Sequence, residues 1–139
     1  MLLFDTHAWI WAVEGNVRRI GKRARQAIAR AEAEDAVRVS TASVFEIVAL
    51  HTAGRLRFSR PPDQWIRESL DLPGVRVATL TPAIAVDAGY VPRDALADPL
   101  DRLLVATARQ LDAALLTGDT AILEYATKTR HVRVVDASR

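Results

Sequence analysis

The chain has 139 residues, 50% hydrophobic and 26% charged, with a formal charge of +2 and no cysteine. That length suits one domain, residues 1–139, with a single substantial core. Disulfides and thiolate metal sites are excluded, and no apolar run approaches the roughly 20 residues that a membrane span needs. The opening Met1-Leu2-Leu3-Phe4-Asp5 has no basic leader and meets a carboxylate too soon for a signal peptide, so a cytoplasmic protein is expected. Of 19 cations only Lys22 and Lys128 are lysines. Arginine favours planar, bidentate contact with phosphate or carboxylate, which permits a nucleic-acid or acidic-protein partner. Genomic base composition produces the same bias.

Leu2-Leu3-Phe4 is a short apolar run that reads as a buried parallel strand delivering Asp5 at its carboxyl end. A helix is predicted from His7 to Val13 with Thr6 as its cap, broken at Gly15-Asn16. A second runs from Gly21 to Glu34, with Ala24, Ala27, Ile28 and Ala31 on one face. Val37–Ser40 is a second strand. The next helix, Ala42 to Ala53 with Gly54 placed to end it, is apolar nearly all round, yet carries Glu46 in its middle.

Arg55 to Pro62 is a basic loop leading to a helix over Asp63–Leu70, and Pro73-Gly74 turns into a third strand, Val75–Ala78. Thr81-Pro82 opens a short helix through Ala88, and a polar connection runs from Val91 to Ala97. Asp98-Pro99 then starts a helix whose Leu100, Leu103, Leu104, Ala108 and Leu111 form an apolar stripe. Asp98 suits the N-cap, and Asp101, at the third helical position, lies on the margin of that stripe. A fourth strand, Ala113–Thr117, ends in Gly118-Asp119. A short helix to Ala126 and a last strand, Val132–Val135, follow. This alternation predicts an α/β sandwich around a mostly parallel sheet of about five strands.

Ligands of open parallel sheets bind at the carboxyl ends of the strands. Asp5, Glu46, Asp101 and Asp119 come from four segments that can converge there. Each has a structural alternative: Asp5 and Asp119 as cap or turn residues, Asp98 as a helix opener, Glu46 paired with a buried arginine. A lone charged Glu inside an apolar helix costs several kcal/mol unless it is paired or bound to a cation. Clustered acids repel and raise one another's pKa, and a divalent cation relieves this. Oxygen-only ligands suit Mg²⁺ or Mn²⁺ rather than zinc. His7, His51 and His131 lack metal-ligand spacing. Such a pocket fits phosphodiester hydrolysis, with arginines around the rim for a polyanionic substrate.

Leu2-Leu3-Phe4-Asp5-Thr6, Ser43-Val44-Phe45-Glu46, Asp98-Pro99-Leu100-Asp101-Arg102 and Leu116-Thr117-Gly118-Asp119 resemble, in order and spacing, the motifs of PIN-domain ribonucleases. The similarity is to the VapC toxins of bacterial type II toxin–antitoxin systems and spans nearly the whole chain. It implies a PIN-like three-layer α/β/α sandwich and a Mg²⁺-dependent endoribonuclease acting on RNA. Asp5, Glu46, Asp101 and Asp119 match the family's acidic quartet, with Asp98 a further carboxylate expected to cap its helix. Thr117 matches a supporting hydroxyl, and Thr6 lies beside Asp5. The resemblance also implies a homodimer and a VapB-like antitoxin whose tail occupies a groove that Trp9, Trp11 and Trp65 can line, with core or dimer contacts as the alternative for these three residues. A PIN-fold RNA-binding or processing protein without turnover or antitoxin is the alternative. A phosphoaspartyl receiver lacks its lysine here, and a dehalogenase-type phosphatase would need an Asp where His7 stands.

Overall fold

In the computed structural model, which describes residues 1–139, five strands form one wholly parallel sheet. The first strand, β1 (Leu2–Phe4), lies at its centre. On one side are β2 (Val37–Ser40) and then β3 (Val75–Ala78). On the other are β4 (Ala114–Thr117) and β5 (Val134–Asp136). Phe4 stands opposite both Val39 and Leu116, so Asp5, Ser40 and Thr117 leave the sheet at one level. The chain winds outward through β2 and β3, then crosses back to β4. That reversal opens a crevice between the carboxyl ends of β1 and β4, where such sheets hold their ligands.

Residues of β1 alternate between two cores, as the pleat requires. Leu2 and Phe4 pack beneath α1 (Thr6–Val13), α2 (Lys22–Ala33), α3 (Thr41–Thr52) and α4 (Pro62–Leu70). Leu3 faces α6 (Pro99–Gln110) and α7 (Thr120–Thr129). A further helix, α5 (Pro82–Tyr90), packs on the outside of α6 through Ile84, Ala88 and Ala106. Because α6 meets both the sheet and α5, its buried band covers Leu104 to Ala108 without a break, wider than the predicted stripe. The result is the expected three-layer α/β/α sandwich.

Four departures from the expected elements have local causes. The cap of α1 is Asp5, whose Oδ1 accepts the His7 N–H at 3.1 Å, and Thr6 is the first helical residue. The last ladder starts two residues later than expected, because the chain reaches β4 at the Arg133 carbonyl and pairs from Val134. The helix carrying Glu46 is not buried all round: Ala42, Ser43 and Ile47 face the core, while Phe45 is 65% and Val48 40% exposed. Trp9 and Trp65 line no groove, since both are fully buried.

Those two indoles pin α4 against α1. Trp65 stacks on Phe58 at 4.5 Å, meets Trp9 at 5.1 Å and donates its Nε1–H to Glu14 Oε1 at 2.9 Å. Replacing Trp65 by alanine is expected to cost about 3–5 kcal/mol through the cavity and the lost ring contacts. Urea unfolding measures this, and a loss under 1 kcal/mol would contradict the assigned packing.

Candidate active site

The crevice begins with Asp5. Its carboxylate is 7% exposed and held on both oxygens: Oδ1 caps α1, and Oδ2 accepts the Thr117 hydroxyl at 2.5 Å. Thr117 Oγ1 in turn accepts the Asp119 N–H at 3.0 Å. One buried hydroxyl thereby joins the ends of β1 and β4 and orients two of the predicted acids. Burial pushes the Asp5 carboxyl above its ordinary range, opposed by the Thr117 and His7 donors.

Asp119 is the N-cap of α7, its Oδ1 accepting the Ile122 N–H at 3.1 Å. Asp98 caps α6 through the Leu100 N–H at 2.9 Å. Asp101, in the first turn of α6, is half-buried. Glu46 sits one turn beyond Ser43 on α3, and the buried hydrogen bond from Thr6 Oγ1 to Ser43 Oγ, 2.8 Å long, ties α3 to α1. Thr6 thus braces the site where a cap was expected.

Asp5, Glu46, Asp98, Asp101 and Asp119 all line one cleft of about 250 Å³. Capping does not remove Asp98 from it: one oxygen serves the helix while the side chain still borders the cavity. None of the protein's ion pairs involves any of these five acids, so the buried arginine considered as a partner for Glu46 is not there. Burial first, and then the charges of Asp98, Asp119, Asp5 and Glu46, raise the Asp101 pKa to about 8.

His7, Trp11 and Arg55 also line the cleft; Trp11 was among the tryptophans expected at a groove, whereas His7 and Arg55 had no assigned place there. His7 and Trp11 lie at the second and sixth positions of α1, directly behind the acid that caps it. Arg55 follows Gly54, whose left-handed φ of 73° ends α3 and turns the chain back toward the cavity mouth. Helical spacing from Asp5 is the signal that points to the first two.

As they lie, no three acidic or imidazole side chains form a closed cage for an ion. The donor set nevertheless suits a hard cation. All five are carboxylates, they repel one another, and Mg²⁺ keeps several waters and takes only one or two protein carboxylates in such sites.

A helix-flanked parallel sheet with this acidic crevice defines the class: the PIN domain family model matches residues 2–128, and the chain belongs to that family. It is 32% identical over 135 residues to Ribonuclease VapC22 of Mycobacterium tuberculosis, covering 96% of this chain and 95% of the relative. Its fold resembles that of VapBC2 from Rickettsia felis, solved on a promoter DNA fragment, with a TM-score of 0.68 at 10% identity and 97% of each chain covered. FitAcB from Neisseria gonorrhoeae superposes with a TM-score of 0.64 at 22% identity, covering 99% of this chain and 98% of the other.

Two outcomes follow for the metal-free protein. With Asp101 near 8 in the fold and 3.8 as its ordinary value, the folded state binds the extra proton, so stability falls as pH rises from about 4 to about 8. Asp5 contributes with the same sign. Asp101→Asn is expected to flatten this slope and to raise the melting temperature at pH 8 by ~4 °C, the scale of a ~1 kcal/mol gain after solvent screening. Thermal melts in EDTA at several pH values test it, and a wild-type stability that climbs over that range would refute it.

The isosteric Thr117→Val leaves Asp5 Oδ2 and the Asp119 N–H without their shared partner, at a cost of about 1–3 kcal/mol. Thr117→Ser should restore most of it. Equal urea midpoints for Val and Ser would show that the hydroxyl is dispensable.

Proposed function

We propose that this chain is a divalent-metal-dependent endoribonuclease and the toxin of a toxin–antitoxin pair. The observation that carries the reading is the gathering of five carboxylates from four chain segments in one crevice, with no ion pair among them. The identity to a protein named Ribonuclease VapC22 supports RNA as the substrate, and the neighbouring VapBC and FitAB structures support a VapB-like antitoxin as the partner.

Asp5, Glu46, Asp101 and Asp119 would hold Mg²⁺, or Mn²⁺ in its place, with Asp98 at the margin. The bound ion supplies charge neutralisation at the scissile phosphate and lowers the pKa of an attacking water. The chain's own part is placement. Thr117 fixes the direction of the Asp5 carboxylate, and the Thr6–Ser43 bond holds α3 so that Glu46 faces the cavity. Arg55 is the guanidinium on the cleft wall, suited to a bidentate grip on a phosphate, and His7 adds an imidazole at the rim.

An antitoxin side chain of positive charge set among the acids would displace the metal and block the cleft. No helix is long and apolar enough to cross a membrane, and the reading places the protein in the cytoplasm. A homodimer would cover exposed apolar side chains such as Phe45 and Val48 of α3.

The test is cleavage of single-stranded RNA with Mg²⁺ and with EDTA. Asp5→Asn and Asp101→Asn should lower the rate about 10²–10³-fold, the several kcal/mol that metal-borne charge stabilisation provides. Glu46→Gln should weaken Mg²⁺ binding while circular dichroism shows the fold intact. Cleavage that survives EDTA and all three substitutions would overturn the metal site. RNA binding without turnover would favour the non-catalytic alternative.

A further inference from the structure

Trp11 separates two concavities. One is the acid cleft. The other is a pocket of about 190 Å³ between the end of α1 and α2, with Val17, Ile20 and Ile28 as apolar lining and Asn16, Arg25 and Glu32 at its polar edge. The indole is firmly seated. A Cβ on Gly118 would lie 3.1 Å from its Cζ3, so the ring rests directly on the backbone between Thr117 and Asp119. The Arg19 guanidinium covers the ring at 5.5 Å, and the His7 ring lies 6.2 Å away.

Beyond this pocket the chain reads Arg18-Arg19-Ile20-Gly21-Lys22-Arg23-Ala24-Arg25, five cations in eight residues and no acid. All five side chains are exposed, and none is in an ion pair. Arg25 instead donates to the Ile20 carbonyl at 2.8 Å, which fixes the loop that bears Arg18 and Arg19 against the start of α2, where Lys22 and Arg23 lie. The acid cleft by itself repels a polyanion. A row of unpaired cations beside it supplies the opposing attraction, and an aromatic ring lines both concavities at their junction.

Resting on the ribonuclease reading above, we propose that Trp11 and the Arg18–Arg25 segment form a track for single-stranded RNA leading out of the acid cleft. Phosphates lie over Arg18, Arg19 and Arg23. The first unstacked base beyond the cleft enters the pocket behind Trp11, where Asn16, Arg25 and Glu32 meet its edge with donors and acceptors. Duplex RNA keeps its bases stacked and cannot use the pocket, so the track selects single strands.

Anisotropy of a short fluorescein-labelled single-stranded RNA in EDTA, and its cleavage with Mg²⁺, test this in the full chain. Trp11→Ala should weaken binding about tenfold, with Trp11→Phe recovering most of it. The double variant Arg18→Ala/Arg23→Ala, which touches no buried group, should reduce the slope of log K against log salt by roughly 1.4. A hairpin duplex, whose stacked bases cannot enter the pocket, should bind Trp11→Ala and the wild type alike. If the wild type binds and cleaves RNA and the variants match it, the track is wrong and the ribonuclease reading stands. If the variants lose only the binding of a labelled poly-glutamate peptide, the surface belongs to an acidic protein partner and the track is likewise wrong. If the wild type neither binds nor cleaves RNA, the reading beneath the proposal falls with it.

Discussion

Like charge held at close quarters is the constraint on which the rest of this structure depends. Five carboxylates share one cleft, and the fold must tolerate them before any ligand arrives. Three devices reduce the cost. Asp5, Asp98 and Asp119 each cap a helix, so the partial positive charges of three helix N-termini point into the crevice. The Thr117 hydroxyl donates to the most buried acid. Asp101, which has neither a cap nor a donor, takes up the remaining strain as a raised pKa.

The sheet order determines where this happens. With β1 central and the chain reversing between β3 and β4, the ends of β1 and β4 diverge into helices on opposite faces. Asp5 and Asp119 are the first residues past those ends that can turn into the gap. Glu46 and Asp101 arrive from helices rather than strands, so each needs a separate tether. The Thr6–Ser43 hydrogen bond is that tether for α3, and the burial of α6 on two sides is that tether for Asp101.

Much of this is legible in the sequence because it depends on short-range chemistry. An apolar triplet ending in Asp, an Asp-Pro helix opener and a Thr-Gly-Asp after a strand each announce their own local geometry. Glu46 was reached from a premise that the structure does not sustain. A helix can be apolar on all sides and still present Phe45 and Val48 to solvent, because burial depends on the neighbours and not on the helix. The tryptophans look alike in sequence, yet only Trp11 reaches the cleft, while Trp9 and Trp65 fill the core around α4. Arg55 is assigned by a left-handed glycine and the direction it sends the chain. That is a tertiary fact with no local periodicity to reveal it.

The capping roles sharpen the case for a functional charge. Asparagine and serine cap helices about as well as aspartate, so folding alone does not demand a carboxylate at residues 5, 98 and 119. Ser40 does the same work for α3 with no charge at all. An acid at every cap that faces the crevice, joined by Asp101 from the first turn of α6 and Glu46 from the middle of α3, exceeds what stability requires and works against it. The exposed cations at residues 18–25 show the complementary excess, unpaired and next to the same cleft. In a chain of net charge +2 the two sets could have neutralised each other. Holding them apart on either side of Trp11 leaves one face negative and the other positive.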